Sequence, residues 1–219
     1  MKSVVISIGG SLINPEKLNT RFLKDLKKII SKQKNRKIVL VTGGGYIARE
    51  YMHPFPKARE ESLIGIQCTQ LHARLLSLLL KDTEEISETW KQLKKEVKKE
   101  RLVICGGFKE GIGMTSDGTS AEIAKLIKAD LFINMTNVAG LYTKDPRKHK
   151  DAELISYISH KAFKEMIDKH HEKPGQHFVL DQHAAKVCKE ENIPVIILTG
   201  TKNLEKVLKE KTFKGTLIS

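Results

Sequence analysis

The sequence predicts an α/β fold with a mainly parallel central sheet covered by helices on both faces. Strand and helix patterns alternate along all 219 residues, and almost every strand is an uninterrupted apolar run, as in KIVLVT at Lys37 to Thr42. A strand with one wet face alternates polar and apolar residues; an apolar run is buried on both faces, which requires helices above and below. The third observation concerns the strand ends. Glycines or short polar residues recur there: Gly9 and Gly10, Gly43 to Gly45, Gly106 and Gly107, Thr136 and Asn137. Open parallel sheets place ligands at the carboxyl ends of their strands.

Val4 to Ile8 is the first strand, broken at Gly9 and Gly10 with Ser11 after them. A helix from about Glu16 to Lys32 comes next, with Phe22, Leu23, Leu26, Ile29 and Ile30 forming one buried stripe opposite lysines. Glycines at such a turn let backbone amides approach a phosphate that a Cβ would hold off. A tight turn and nothing more is the plainer reading of one such unit. Lys37 to Thr42 then ends in Gly43, Gly44 and Gly45, before a short helix carrying Arg49. A second turn of the same design strengthens the phosphate reading, because Arg49 stands one helical turn on, where a guanidinium can reach a phosphate oxygen. Gly43, Gly45 and Ala48 also satisfy the loose dinucleotide pattern G-x-G-x-x-A. That reading is weak, since Glu61 to Leu80 has the apolar spacing of a long helix where a strand ending in an acid would be needed.

The helix Glu61 to Leu80 is apolar over more than one stripe, which places it centrally in the core or against another subunit; a subunit contact is favoured. Glu84 to Glu100 reads as a charged helix with Trp90, Leu93 and Val97 inward, and Arg101 to Cys105 as the third buried strand. The stretch Gly111 to Pro146 organises the rest. Thr115, Ser116 and Asp117 crowd two hydroxyls and a carboxylate ahead of the helix Ser120 to Ile127, where orphan amides and the positive helix end suit an anion. The strand Asp130 to Met135 delivers Thr136 and Asn137 at its carboxyl end. Beyond a polar loop at Arg147 to Ala152 come a helix at His160 to His170 and a flexible connection at Glu172 to His177. Asp181 is the N-cap of a helix Gln182 to Glu190, and Pro194 to Leu198 is a fifth strand. A helix at Asn203 to Lys209 and a closing strand at Gly215 to Ser219 complete the pattern. No low-complexity stretch or fixed-period repeat interrupts it, and a lobe boundary would fall near Gly107 to Gly113.

Lys plus Arg exceed Asp plus Glu by 39 to 26, a net charge of +13. That excess suits an anionic ligand or nucleic acid. Most lysines occupy outer helix faces, however, and aromatic residues able to stack on bases make up 5% of the chain, so solvated faces are the reading preferred over a nucleic-acid surface. Cys68, Cys105 and Cys188 lie far apart within apolar patterns and are expected to be buried free thiols in a reducing compartment. The histidines, among them His149, His160, His170 and His171, are scattered, and no zinc spacing is present. No run of 18 or more apolar residues exists, and MKSVVISIGG leads directly into a strand, so a soluble intracellular protein is expected.

Taken together, IGGS at Ile8 to Ser11, VTGGGYIAR at Val41 to Arg49, IGIQ at Ile64 to Gln67, MTSDG at Met114 to Gly118 and KADLFINMTNVAGLYTKDP at Lys128 to Pro146 resemble the amino acid kinase family, and within it the archaeal uridylate kinases. The likeness extends to VLDQHAAK at Val179 to Lys186. It implies a three-layer α/β/α sandwich over residues 1–219, with an acceptor-side lobe at about 1–107 and a nucleotide-donor lobe at about 108–219. It further implies a cytoplasmic enzyme that moves the γ-phosphate of ATP, with Mg²⁺, onto UMP to give UDP in pyrimidine nucleotide synthesis. By the same resemblance Gly9, Gly10, Ser11 and Asp117 form the catalytic set. Gly45, Arg49, Thr136, Asn137, Tyr142 and Asp145 face ATP; Gly44, Ser62, Gly113, Met114, Thr115 and Ser116 face UMP. No residue is expected to be a dedicated metal ligand. Partners would be small nucleotides and further copies of the chain, dimers building to hexamers, with no membrane and no specific nucleic acid.

The chain departs from the family at several points. Ser7 stands where many members carry a first-strand lysine, with Lys144 a candidate for the replacement cation. Ser62 stands where uridylate kinases place an acid before IGIQ, leaving Glu60 or Glu61 as substitutes. The loop Phe108 to Gly113 is longer and lacks a histidine-proline pair, and Ala139 replaces a common aspartate. Two other readings therefore stay open: a family member acting on another small phosphate or carboxylate, and a degenerate nucleotide-binding regulator. Kinase chemistry agrees with the lack of a visible catalytic triad. A phosphate monoester has its second pKa near about 6, so the acceptor oxygen is anionic at neutral pH and needs no general base.

Overall fold

The computed structural model describes residues 1–55, 62–111, 114–169 and 179–219. Within them the strands β1 (Ser3–Ile8), β2 (Lys37–Thr42), β3 (Leu102–Cys105), β4 (Leu131–Met135), β5 (Tyr157–Ile158), β6 (Val195–Leu198) and β7 (Gly215–Ile218) form one seven-stranded sheet in the order β3-β2-β1-β4-β6-β7-β5. β1 lies near the centre, with Val5 opposite Val39 on one side and Phe132 on the other. From β3 to β6 every pairing is parallel; β7 runs antiparallel to β6, and the two-residue β5 is parallel to β7.

The expected apolar runs are buried on both faces because alternate residues of each strand enter two separate cores. Val5, Val39, Val103, Phe132 and Val195 face one core with Leu93, Ala121, Phe163 and Cys188; Val4, Ile6, Leu40, Ile133 and Leu198 face the other with Leu26, Ala73, Leu76 and Leu204. The first core is covered by α5 (Trp90–Lys99), α6 (Ser116–Ile127), α7 (His160–Lys169) and α8 (Gln182–Glu190). The second is covered by α2 (Thr20–Ser31), α4 (Leu63–Lys81) and α9 (Thr201–Leu208), with Ile13 of α1 (Gly10–Ile13). This is the three-layer α/β/α sandwich. The three cysteines are free and buried, and burial pushes the Cys188 thiol up to about 12, with Asp181 and Asp117 adding to the shift.

Side-chain caps set helix starts where periodicity alone misjudges them. α2 begins at Thr20 rather than Glu16 because the Asn19 side chain accepts the Phe22 amide. α5 begins at Trp90 rather than Glu84, since Thr89 and Gln92 form a capping box. The preceding residues are extended instead: Ser87 bridges Cys105 at the sheet edge, and the Ser77 hydroxyl donates to the Glu85 carbonyl at 2.7 Å. α6 begins at Ser116, with Thr115 as its cap, so Ser116 and Asp117 lie inside the first helical turn. The short α1, the strand β5 and a 3-10 turn at Lys109–Gly111 carry no periodic signal. The connection at Glu172 to His177 lies outside the described residues.

α4 is central to the core along one face and leaves an apolar stripe uncovered along another. Ile66, Ala73 and Leu76 are buried, while Ile64, Leu71 and Leu78, spaced seven apart, are 40%, 52% and 48% exposed. Among the described residues α4 alone is long and apolar enough to cross a membrane by length and composition, and half of it is buried inside the fold. Its inner face also fixes the end of β3. The Thr69 hydroxyl accepts the Gly107 amide at 2.7 Å and donates to the Ile66 carbonyl, the Gln70 amide donates to the Gly107 carbonyl at 3.0 Å, and Thr42 donates to the Thr69 carbonyl at 2.7 Å. A Cβ on Gly106 would stand 2.5 Å from the Thr69 hydroxyl oxygen, so β3 meets α4 backbone to side chain. Thr69→Val keeps the shape but strands the buried Gly107 amide. It is expected to destabilise the fold by about 1–3 kcal/mol, read as a lower midpoint in chemical denaturation at unchanged slope.

Candidate active site

Two of the glycine turns meet each other. A Cβ on Gly10 would lie 2.1 Å from the Gly45 nitrogen and 2.5 Å from the Gly43 carbonyl oxygen, and Gly45 has φ of +64°. No other residue type allows both the contact and the left-handed conformation without displacing backbone. The glycines at these positions are therefore required first by backbone packing against backbone. The turn at Gly43 is held from behind by His72 of α4, a buried imidazole whose Nδ1 donates to the Gly43 carbonyl at 2.8 Å. Burial lowers its pKa, so the ring is neutral and carries its proton on Nδ1. His72 was not singled out from sequence; its signal is a polar residue on the buried side of an apolar helix.

Not every amide in these turns is open to a ligand. The Gly9 amide donates to the Met135 carbonyl at 2.9 Å and the Gly43 amide to the Ile8 carbonyl at 3.0 Å, continuing the sheet ladder. What an anion can use are the amides that open α1 and α3 (Gly45–Met52), at Gly10, Ser11, Gly44 and Gly45. Gly44 faces Ala48 and α4, where a Cβ would come within 2.6 Å of the Ala48 Cβ.

The start of α6 adds the third side of the site. Ser116 approaches Gly43, its hydroxyl oxygen 3.4 Å from where a Cβ would stand. Asp117, one residue on, accepts from the Ser7 hydroxyl of β1 at 3.0 Å and from the Asn134 amide of β4 at 3.0 Å; Asn134 also donates to the Val179 carbonyl at 2.9 Å. Ser7 and Asn134 are buried and lie opposite each other in the β1–β4 register. The Thr115 hydroxyl donates to Asp181, the cap of α8, while accepting the Gly118 amide at 3.0 Å. Burial above all, then the nearby Asp181 charge, pushes the Asp117 carboxyl up to about 7, against the two hydrogen bonds that favour its ionised form.

Thr136 directly succeeds β4 at the same edge, its hydroxyl 3.4 Å from the Asn137 side-chain oxygen. Tyr142 and Asp145 sit on a separate loop, pinned by the Tyr142 to Leu154 bridge and by the Leu141 amide on the Thr216 hydroxyl at 2.8 Å. Asp145 accepts from the Arg147 amide at 3.0 Å, which holds its carboxyl below the usual range. Lys144 pairs with Asp151 at 2.5 Å. Arg49 is exposed on α3 and forms no ion pair among the described residues. Ser62 caps α4 by accepting the Gly65 amide at 3.3 Å, a local role for the residue that stands where an acid was sought. Met114 is half-buried beside Gly118. Gly113, Glu60 and Glu61 lie outside the described residues.

Helix-opening turns, hydroxyls and a half-buried carboxylate at the carboxyl edge of a parallel sheet define a phosphate-handling α/β/α protein. The match to known proteins is narrower. A family model described as the amino acid kinase family matches residues 2–199, and the chain belongs to that family. It is 34% identical to uridylate kinases of Methanoregula boonei, over 95% of this chain and 92% of the other, and of Archaeoglobus fulgidus, over 99% of each. The crystal structure of uridylate kinase from Archaeoglobus fulgidus superposes with a TM-score of 0.84 at 32% identity over the full length of both chains. An isopentenyl phosphate kinase superposes at 0.71 with 17% identity, covering 99% of this chain and all of the other, a likeness of fold.

Among the described residues no three His, Cys, Asp or Glu side chains converge as a protein-built metal cage would need. The carboxylate of the site, Asp117, already accepts two hydrogen bonds. Its shifted ionisation has a measurable consequence. The carboxyl ionises near 3.8 when unfolded and near about 7 when folded, so the folded state holds the extra proton between those values. Stability of the ligand-free protein should fall as pH rises through that window and stay lower above it, by at most about 4 kcal/mol. Asp117→Asn is expected to remove this part of the slope in urea unfolding between pH 4 and 8; an unchanged slope would show that Asp117 ionises normally.

Proposed function

We propose that this protein is a UMP kinase, transferring the γ-phosphate of ATP to UMP to give UDP and ADP in cytoplasmic pyrimidine nucleotide synthesis. The observation that carries the proposal is the meeting of Gly10 with Gly43 and Gly45, with Ser116 and Asp117 beside them, at one sheet edge. Relatives 30–34% identical over nearly the whole chain, all named uridylate kinases, support the choice of acceptor.

A UMP phosphate oxygen forms the new bond to the γ-phosphorus, and the bond from that phosphorus to the β-phosphate bridging oxygen breaks, releasing ADP. The acceptor oxygen is already ionised, so the protein's work is alignment and charge neutralisation. Gly9, Gly10 and Ser11 would seat the transferring phosphates. Gly45, Arg49, Thr136, Asn137, Tyr142 and Asp145 would face ATP, and Gly44, Ser62, Gly113, Met114, Thr115 and Ser116 would face UMP. Asp117 would fix the Ser7 hydroxyl and the first turn of α6 around them. With Ser7 in place of a lysine and Lys144 engaged by Asp151, Arg49 is the cation we assign to the phosphates. Mg²⁺ would be held largely by phosphate oxygens and water, as its octahedral preference suits, and would neutralise triphosphate charge. The acceptor lobe would comprise about 1–107 and the donor lobe about 108–219.

A coupled ADP-release assay over UMP, CMP, AMP and isopentenyl phosphate should show UMP preferred by at least tenfold in kcat/KM; turnover with none of them would end the enzyme reading. The exposed stripe Ile64, Leu71 and Leu78 is the proposed contact between two copies, from which larger assemblies up to a hexamer would grow. Leu71→Asp with Leu78→Asp should shift the sedimenting species to the monomer. An unaltered sedimentation coefficient would place the contact elsewhere.

A further inference from the structure

At the opposite edge of the sheet, about 20 Å from the glycine turns by the length of β1, a cavity of about 740 Å³ opens between α5, α6 and the starts of β1 and β2. Its floor is apolar, made by Val97, Leu126 and Ile127, and its rim carries Lys2, Lys37, Lys94 and Lys98. Leu126 is 38% exposed there.

None of these four lysines forms an ion pair among the described residues. Lys37 donates to the Val97 carbonyl at the end of α5. Asp130 at this edge is turned to the backbone, its Oδ2 accepting the amides of Lys2 and Ser3, which keep it ionised. Lys94 and Lys98 are four residues apart on one helix, a like-charge spacing that costs a few tenths of a kcal/mol and is relieved by an anion between them. The plainer account is that the lysines merely offset the negative ends of α5 and α6, which both finish here. Those ends amount to about half a charge each, so with the Asp130 carboxylate roughly two negative charges stand against the four ammonium groups. The cavity thus keeps a net positive charge of about two over an apolar floor.

We infer that this cavity is a second ligand site, taking a soluble organic phosphate that joins a dianionic head to an apolar body. The head would lie among Lys2, Lys94 and Lys98, and the body over Val97, Leu126 and Ile127. The inference does not rest on the kinase reading, because no residue of the cavity belongs to the glycine-turn edge. A ligand here reaches the start of α6's neighbour strands and α6 itself, whose other end carries Asp117, so it has a physical route to the site.

The test is calorimetric titration of the whole protein with methyl phosphate and with n-octyl phosphate below its micellar concentration, in parallel with Lys94→Glu/Lys98→Glu. Octyl phosphate should bind at least tenfold tighter than methyl phosphate, and the double variant should lose at least tenfold, with affinity falling as salt rises. Lys94→Gln/Lys98→Gln gives the same reading should charge reversal disturb α5, and Leu126→Gln should narrow the gap between the two phosphates. Equal affinity of parent and double variant, or of the two phosphates, overturns the inference. Co-sedimentation with phosphatidic acid vesicles without octyl phosphate binding would overturn it too, assigning the lysines to a membrane surface.

Discussion

The contact between Gly10 and the Gly43 to Gly45 turn is the constraint on which the rest depends. Two strand ends can converge this closely only if no side chain stands between them, and the near-zero clearance at Gly10 leaves no alternative residue. That contact brings the starts of α1 and α3 side by side. The His72 ring behind Gly43 and the Gly9 amide on Met135 fix the turns from both sides, so their placement is set by the sheet and α4. A rigid backbone cradle suits a reaction whose transition state asks mainly for correct placement of charge.

Asp117 shows how the same edge stores electrostatic cost. A carboxylate bonded to Ser7 and Asn134 yet raised to about 7 is one whose burial outweighs two hydrogen bonds. Groups held this far from their ordinary ionisation concentrate at functional sites, because a stable fold gains nothing from them. A cation brought by substrate would settle the carboxylate in its charged form. Stability lost in the empty protein would then return as affinity.

Much of the fold was legible because a buried parallel sheet writes itself as apolar runs: the cores of β1, β2, β3, β4 and β6 fall where the runs do. The caps were less legible. Asn19 and the Thr89–Gln92 box override apolar periodicity by satisfying amides, which moved two helix starts inward by several residues. β5 and α1 are too short to have a period at all. In the site, the glycine turns, Thr115, Ser116 and Asp117 were readable as types in a pattern. Ser7, noted as a departure from the family, proved to be the partner of Asp117, a pairing across 110 positions that no local spacing reveals. His72 was hidden for the same reason, and Asp181, legible as the cap of α8, gave no sign of its bond from Thr115, since both contacts are brought together only by the fold.

The sheet order also bears on what a shortened chain would expose. β7 pairs with β6 on one side and, among the described residues, is the partner of β5 on the other. A chain cut before Gly215 leaves β6 a bare edge and β5 with nothing to join. It offers unpaired amides and carbonyls to any neighbouring strand. Four residues of β7 thus separate a covered rim from an adhesive one.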